Sequence, residues 1–299
     1  MKYAGKHTKG EKSRGERKKF AKLFWQNYYM LCVFFLKYQY NVVLYRCDNR
    51  FRYFYLDIAV QEWKMEKMRF GLRKMTLLDF PGRVACTVFT CGCNFRCPFC
   101  HNASLVRGQE EDMELSAAEL FAFLEKRRKL LDGVAVTGGE PLMHPGSVEL
   151  LKKIKAMGYA VKLDTNGSFP ERLKEILDSG CADYVAMDVK SSFERYEALC
   201  GRADMREKVE KSIALLKEGK VDHEFRTTVV DQLHNVEDIR NAARSIAGAK
   251  RYFLQNFKES EDLLSPDSAF SGAGQEKLQA MLEAAKEFVP GTAIRGVDM

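Results

Sequence analysis

Between Val84 and Asn102 the chain reads V-A-C-T-V-F-T-C-G-C-N-F-R-C-P-F-C-H-N, with Cys93, Cys97 and Cys100 in a C-x3-C-x2-C spacing. The apolar run Val84 to Thr90 just before them has the length and composition of a buried strand. The three thiols therefore follow a strand end on one short loop, a placement that points to a metal centre or a cluster. Three thiolates are one short of the four that usually hold an iron-sulfur cluster, so one iron would stay open to a non-protein ligand. Two other fates remain open for the thiols. Disulfides would leave one of the three unpaired, and nothing else points to an oxidising compartment. Zinc would need a fourth ligand, which His101 or Cys91 could supply.

The charge is unevenly placed. Residues 1–67 carry fifteen Lys and Arg against six Asp and Glu, which leaves the remainder two charges negative although the whole chain is at +7. Charge thus gives the main domain no footprint for nucleic acid. The same segment holds 16 of the 34 aromatic residues and no proline. Its longest apolar run, Met30 to Leu36, is seven residues and too short to span a bilayer. Lys37, Gln39 and Asn41 interrupt a signal-peptide pattern, and no small-residue cleavage site follows. The expectation is a cytoplasmic protein with no membrane partner. Residues 1–67 read as a basic, aromatic-rich extension outside the fold, with Met65 or Met68 as the natural start. The other reading is an extension that docks on the domain or on a partner.

From residue 68 onward apolar strands alternate with amphipathic helices. Strands are expected at 84–90, 133–137, 159–164, 183–189, 223–230 and 251–256. Ser116 and Glu119 form a capping box, Pro170 opens a helix that Gly180 closes, and Asn235 caps another. A last helix over 275–289 precedes a possible edge strand over 292–297. Six strand-helix units require a parallel sheet with helical crossovers, and six fall short of the eight that close a barrel.

Ligands in such sheets sit at the carboxyl ends of the strands, and the residues there form a set. The second strand runs into Thr137-Gly138-Gly139-Glu140-Pro141, where two glycines would let the backbone approach a ligand or make a tight turn. The third ends Asp164-Thr165-Asn166-Gly167 and the fourth Asp188-Val189-Lys190, with Arg226 inside the fifth. Each of these polar residues could also be a cap or a solvated turn residue. Cys86, Cys181 and Cys200 read as small buried residues, and Cys91 as a neighbour of the loop.

The C-x3-C-x-aromatic-C pattern, with Phe99 in the aromatic slot, resembles the cluster loop of radical S-adenosylmethionine (SAM) enzymes. The sequel C-H-N and the preceding Asp79-Phe80-Pro81-Gly82 resemble the glycyl-radical-enzyme activases, above all the activating proteins of anaerobic ribonucleotide reductase. The resemblance covers about residues 68–299. It implies an open, partial (βα)6 TIM-like barrel and one [4Fe-4S] cluster on Cys93, Cys97 and Cys100. It further implies SAM held by Phe99, His101, Gly138, Gly139, Glu140, Asp164, Asn166, Asp188 and Lys190. It also implies cleavage of SAM to a 5′-deoxyadenosyl radical, a flavodoxin or ferredoxin-type reductant, and a glycyl radical enzyme, class III ribonucleotide reductase, as partner. Pyruvate formate-lyase activases typically carry a histidine where this chain has Lys258, and the stretch Leu254-Gln255-Asn256-Phe257 is nearer the reductase type. The alternatives are an activase of another glycyl radical enzyme, a small-molecule radical SAM enzyme such as a deazapurine-forming synthase, and a zinc-bound interaction module.

Overall fold

A computed structural model describes residues 63–108, 113–259, 262–265 and 268–296 of the chain. The expectations for residues 1–62 lie outside that set. Trp63 onward forms one compact unit.

The core of that unit is a single sheet. Nine strands, β1 (Arg69–Thr76), β2 (Ala85–Thr90), β3 (Leu115–Ser116), β4 (Gly133–Gly138), β5 (Ala160–Thr165), β6 (Tyr184–Asp188), β7 (Asp222–Val229), β8 (Tyr252–Asn256) and β9 (Thr292–Arg295), lie in the order 3-1-2-4-5-6-7-8-9. The pairs from β2 and β4 through to β8 and β9 are all parallel, whereas β1 pairs antiparallel with both β2 and β3. The sheet ends in two different strands and does not close, so the architecture is the open partial barrel. The expected six parallel strands and the β9 edge are present. The β1–β3 addition was not expected, since Arg69 to Thr76 alternates too weakly to read as a half-buried strand.

The crossover helices are built as their sequences dictate. Helix α1 (Ala103–Arg107) follows the cysteine loop, and α2 (Ala117–Arg127) starts on a capping box in which Ser116 and Glu119 satisfy each other's backbone N–H. Next come α3 (Ser147–Ala156) and α4 (Pro170–Ser179), with Pro170 in its first turn and Gly180 left-handed at φ 63° after it. Then follow α5 (Tyr196–Cys200), α6 (Arg206–Lys217), α7 (Val236–Ser245), capped by Asn235 and Asp238, and α8 (Gln275–Lys286). Apolar faces such as Leu150, Leu151 and Ile154 of α3 are fully buried against the sheet.

The domain begins slightly before residue 68. Residues 63–67 form a helical turn whose Met65 is buried at 1% exposure. A Cβ on Gly146 would stand 2.5 Å from the Met65 Cα, so this turn lies directly on the start of α3. At the opposite end of the strands from the cysteines, Phe80 of the D-F-P-G stretch is buried with Ala85, Ala160, Tyr184 and Ala186. Its ring is 6.2 Å from that of Tyr184 and lies over Gly133. That stretch plugs the amino-terminal mouth of the barrel.

Candidate active site

The cysteine loop leaves β2 at Thr90 and turns under two buried aromatic anchors. Phe95 meets the edge of Tyr196 at 6.4 Å, and Phe99 that of His234 at 6.2 Å. An irregular loop must satisfy its backbone groups elsewhere, and this one does so on several sides. The Gly92 N–H donates to the Leu105 carbonyl at 2.8 Å and the Arg96 N–H to that of Cys200 at 2.7 Å. From beyond β8, Leu264 and Ser265 donate backbone N–H groups to the Cys100 and Pro98 carbonyls, each at 3.2 Å. Asp262 accepts from the N–H of Ser104 at 3.0 Å and from its hydroxyl at 2.7 Å, at the start of α1. Outside, the Arg96 guanidinium donates to the Phe95 carbonyl at 2.7 Å and that of Arg202 to Asn94 at 2.8 Å.

Gly138 and Gly139 are needed for a different approach from the expected one. A Cβ on Gly138, whose φ is 124°, would lie 2.2 Å from the Thr90 carbonyl oxygen, and one on Gly139 would lie 1.9 Å from that of Gly92. The cysteine loop itself is what comes so close. Its carbonyls accept from the next turn, Thr90 from the Gly139 N–H at 3.0 Å and Gly92 from the Glu140 N–H at 2.9 Å.

Glu140 then ties this turn to β5. Its fully buried carboxylate accepts from Leu142 N–H at 2.9 Å, Thr165 hydroxyl at 2.8 Å and Asn166 N–H at 2.6 Å. Burial pushes its carboxyl up to about 7 against the pull of those hydrogen bonds. The side chain is therefore a strut, and the backbone around it is what faces the cavity.

The remaining strand ends form an alternating ionic chain. Lys162 pairs with Asp164, Asp164 with Arg226 at 3.2 Å, Arg226 with Asp188 at 2.9 Å, and Asp188 with Lys190 at 2.8 Å. Burial alone would push the Asp188 carboxyl up, but the adjoining Arg226 and Lys190 charges outweigh it and hold it below the usual carboxylate range. Burial would likewise lower Lys190, and Asp188 more than reverses that.

All twelve residues singled out above border one cavity of about 210 Å³: Cys93, Cys97, Cys100, Phe99, His101, Gly138, Gly139, Glu140, Asp164, Asn166, Asp188 and Lys190. Asn102, Thr165, Arg226 and Thr228 complete much of its wall. Sequence reasoning passed over His234, which is 2% exposed and bonds the Lys190 carbonyl through Nε2 at 2.9 Å while accepting the Val230 N–H at Nδ1. It also passed over Asn94 and Ser168, which hydrogen-bond to Asn166. None carries a motif: His234 and Asn94 act on Lys190 and Asn166, far off in sequence, and the bond of Ser168 to Asn166 two residues before it gives no more than a turn signal.

The donor set fits a cluster. Burial pushes the Cys93 thiol up to about 11 and that of Cys97 to about 12, a shift that a cationic metal beside them would oppose. Cys91 turns away and donates to the Gly108 carbonyl at 2.9 Å. His101 borders the cavity with a buried Nε2 that lacks a protein partner, as expected of an atom that meets a ligand. Among the described residues no helix is long and apolar enough to cross a membrane.

Comparison with known proteins agrees with this geometry. The model of the radical SAM superfamily matches residues 87–246. A Methanocaldococcus jannaschii protein, provisionally named a glycyl-radical enzyme activating enzyme, is 29% identical over 239 residues, covering 78% of this chain and 98% of its own. The pyruvate formate-lyase-activating enzyme of Clostridium pasteurianum is 28% identical over 195 residues, 62% of this chain and 79% of that protein. In fold, the chain is similar to Streptococcus suis SuiB bound to S-adenosylmethionine, with a TM-score of 0.55 at 16% identity over 93% of this chain and 63% of that one. The chain belongs to the radical SAM superfamily and is an enzyme of that kind, working with a [4Fe-4S] cluster and S-adenosylmethionine.

Proposed function

We propose that this protein is a glycyl-radical-enzyme activase whose partner is a class III ribonucleotide reductase. In this reading Cys93, Cys97 and Cys100 hold the cluster. Lys190 meets the carboxylate of SAM as a point charge, the backbone of Gly138 to Glu140 faces its amino group, and Phe99 and His101 flank the nucleoside. The bound cluster and SAM would supply a 5′-deoxyadenosyl radical able to take a hydrogen atom from a glycine Cα. The chain's own part is to orient these groups and to exclude water.

The observation that carries the choice of substrate is the charge balance of the cavity. Its two permanent cations, Lys190 and Arg226, are both shared with Asp164 or Asp188, and the five-residue chain has one positive charge to spare. SAM's carboxylate would use that charge. A phosphorylated or dicarboxylate substrate would then need a further cation, and none is left among the Lys and Arg residues that line the cavity, so its burial would be costly. A neutral, extended peptide carrying the target glycine meets no such penalty. The likeness over 98% of the M. jannaschii protein supports an activase. Lys258, in place of the histidine expected of pyruvate formate-lyase activases, supports the reductase as partner.

The test is anoxic incubation with SAM, a flavodoxin or ferredoxin-type reductant and the class III reductase of the same genome. A doublet electron-paramagnetic-resonance signal should arise on the partner and lose its splitting when glycine is deuterated at Cα. SAM cleavage without a partner radical, stimulated instead by a purine precursor, would establish the small-molecule reading.

A further inference from the structure

Hydrogen bonds to a ligating sulfur tune the iron it carries, because they stabilise the negative charge that reduction adds. Two N–H groups reach the Cys93 sulfur: the backbone N–H of Phe95 at 3.4 Å and the side-chain amide of Asn166 at 3.8 Å. Cys93 is on the loop after β2 and Asn166 just past the end of β5, so the second contact comes from another part of the barrel.

The orientation of the Asn166 amide is dictated by its surroundings. Its Oδ1 accepts the backbone N–H of Ser168 at 3.0 Å, and a backbone N–H can only donate. The oxygen therefore faces Ser168 and the nitrogen faces the cysteine loop. One hydrogen of Nδ2 goes to Asn94 Oδ1 at 3.0 Å. Asn94 Nδ2 donates in turn to the Ser168 hydroxyl at 2.9 Å, which donates back to Asn166 Oδ1 at 2.5 Å. This ring of three side chains runs in one direction, and flipping any member would set donor against donor. The second hydrogen of Nδ2 is left for Cys93. The backbone of Asn166 is held as firmly, its N–H donating to Glu140 Oε2 at 2.6 Å. With every polar atom of the side chain engaged, none is free for SAM.

We propose that Asn166 is a positioning residue that donates its side-chain amide to the Cys93 thiolate and thereby raises the reduction potential of the cluster, instead of contacting SAM. The proposal rests on the cysteine loop carrying the cluster as set out above.

The experiment is an electron-paramagnetic-resonance redox titration, without SAM, of the anaerobically reconstituted full chain and three variants. Asn166→Ala removes the donor, and Asn166→Asp keeps the shape while turning an oxygen toward the sulfur. Ser168→Ala breaks the ring but leaves the Ser168 backbone N–H on Oδ1, and so the orientation. Both Asn166 variants should reduce about tenfold less favourably, a shift of about 59 mV to more negative potential for a one-electron couple. Ser168→Ala should stay within about twofold, since the donor keeps its place. Midpoints of both Asn166 variants within twofold of wild type, or an equal shift in Ser168→Ala, would overturn the proposal. Should the Asn166 variants fail to hold a cluster, pulsed resonance on reduced wild-type protein decides. Asparagine labelled with 15N at the side-chain amide should change a weak nitrogen coupling to the cluster, and an unchanged spectrum would refute the contact. Wild-type protein that assembles no cluster would refute the cluster reading along with this one.

Discussion

Glu140 gives the most direct test of how the site is built. In Glu140→Ala the N–H groups of Leu142 and Asn166 and the Thr165 hydroxyl lose their acceptor in the buried interior. At about 1–3 kcal/mol for each buried donor left unmet, the loss should be on the order of 3–6 kcal/mol once relaxation is allowed for. Glu140→Gln keeps the shape but replaces one acceptor oxygen with a donor, so about 1–3 kcal/mol is expected. The pH dependence is the sharper signature. Burial raises the folded carboxyl from 4.5 to about 7, so the folded state holds the proton more tightly. A raised value contributes stability that is fully present below about 4.5 and is lost as pH rises to about 7. The neutral Gln variant has no such term. The stability difference between wild type and Glu140→Gln should therefore shrink by about 3 kcal/mol between pH 4.5 and 7, at 1.36 kcal/mol for each pH unit of the shift. Urea unfolding of both proteins under reducing anoxia measures it, and other titrations cancel in the difference. A difference that is flat across this range would show that the carboxylate titrates normally and refute the argument from burial.

Gly139→Ala should displace the cysteine loop, because its Cβ would stand 1.9 Å from the Gly92 carbonyl oxygen. Iron content after reconstitution should fall sharply, whereas Gly158→Ala, with nothing within 4 Å of its Cβ, should retain it at a cost of about 1 kcal/mol for its left-handed backbone. Alanine at Cys93, Cys97 or Cys100 should abolish cluster absorption and SAM cleavage, while alanine at the buried Cys181 or Cys200 should preserve both. Truncation before Trp63 should leave thermal stability and cluster content unchanged. Truncation before Met68 removes the buried Met65 and should cost about 2–5 kcal/mol, the range for emptying a core methionine site.

Much of this molecule is local in origin and therefore legible in the chain. The cysteine spacing is set within eight residues, and capping boxes such as Ser116 with Glu119 act over a single turn. Strand β2 begins one residue after the expected position and β4 ends one residue beyond it, because apolar periodicity reports burial directly. Parallel pairing then follows from the alternation of strands and helices, and it brings the polar strand ends to a single mouth. What those side chains do there is decided by partners far away in sequence. Gly139 borders the cavity as its motif suggests, but that the Gly92 carbonyl lies against it, and that the Glu140 carboxylate is bonded to Leu142, Thr165 and Asn166, only the tertiary structure shows. Phe80 belongs to a stretch that resembles activases, yet it lies at the opposite end of the barrel from the cysteines. His234 and Asn94 carry no local signature of their roles, and the place of Asn166 in D-T-N-G says nothing of the ring it forms with Asn94 and Ser168. A hydrogen bond depends on distance and direction in space, and neither exists between residues 72 apart until the sheet has closed the gap.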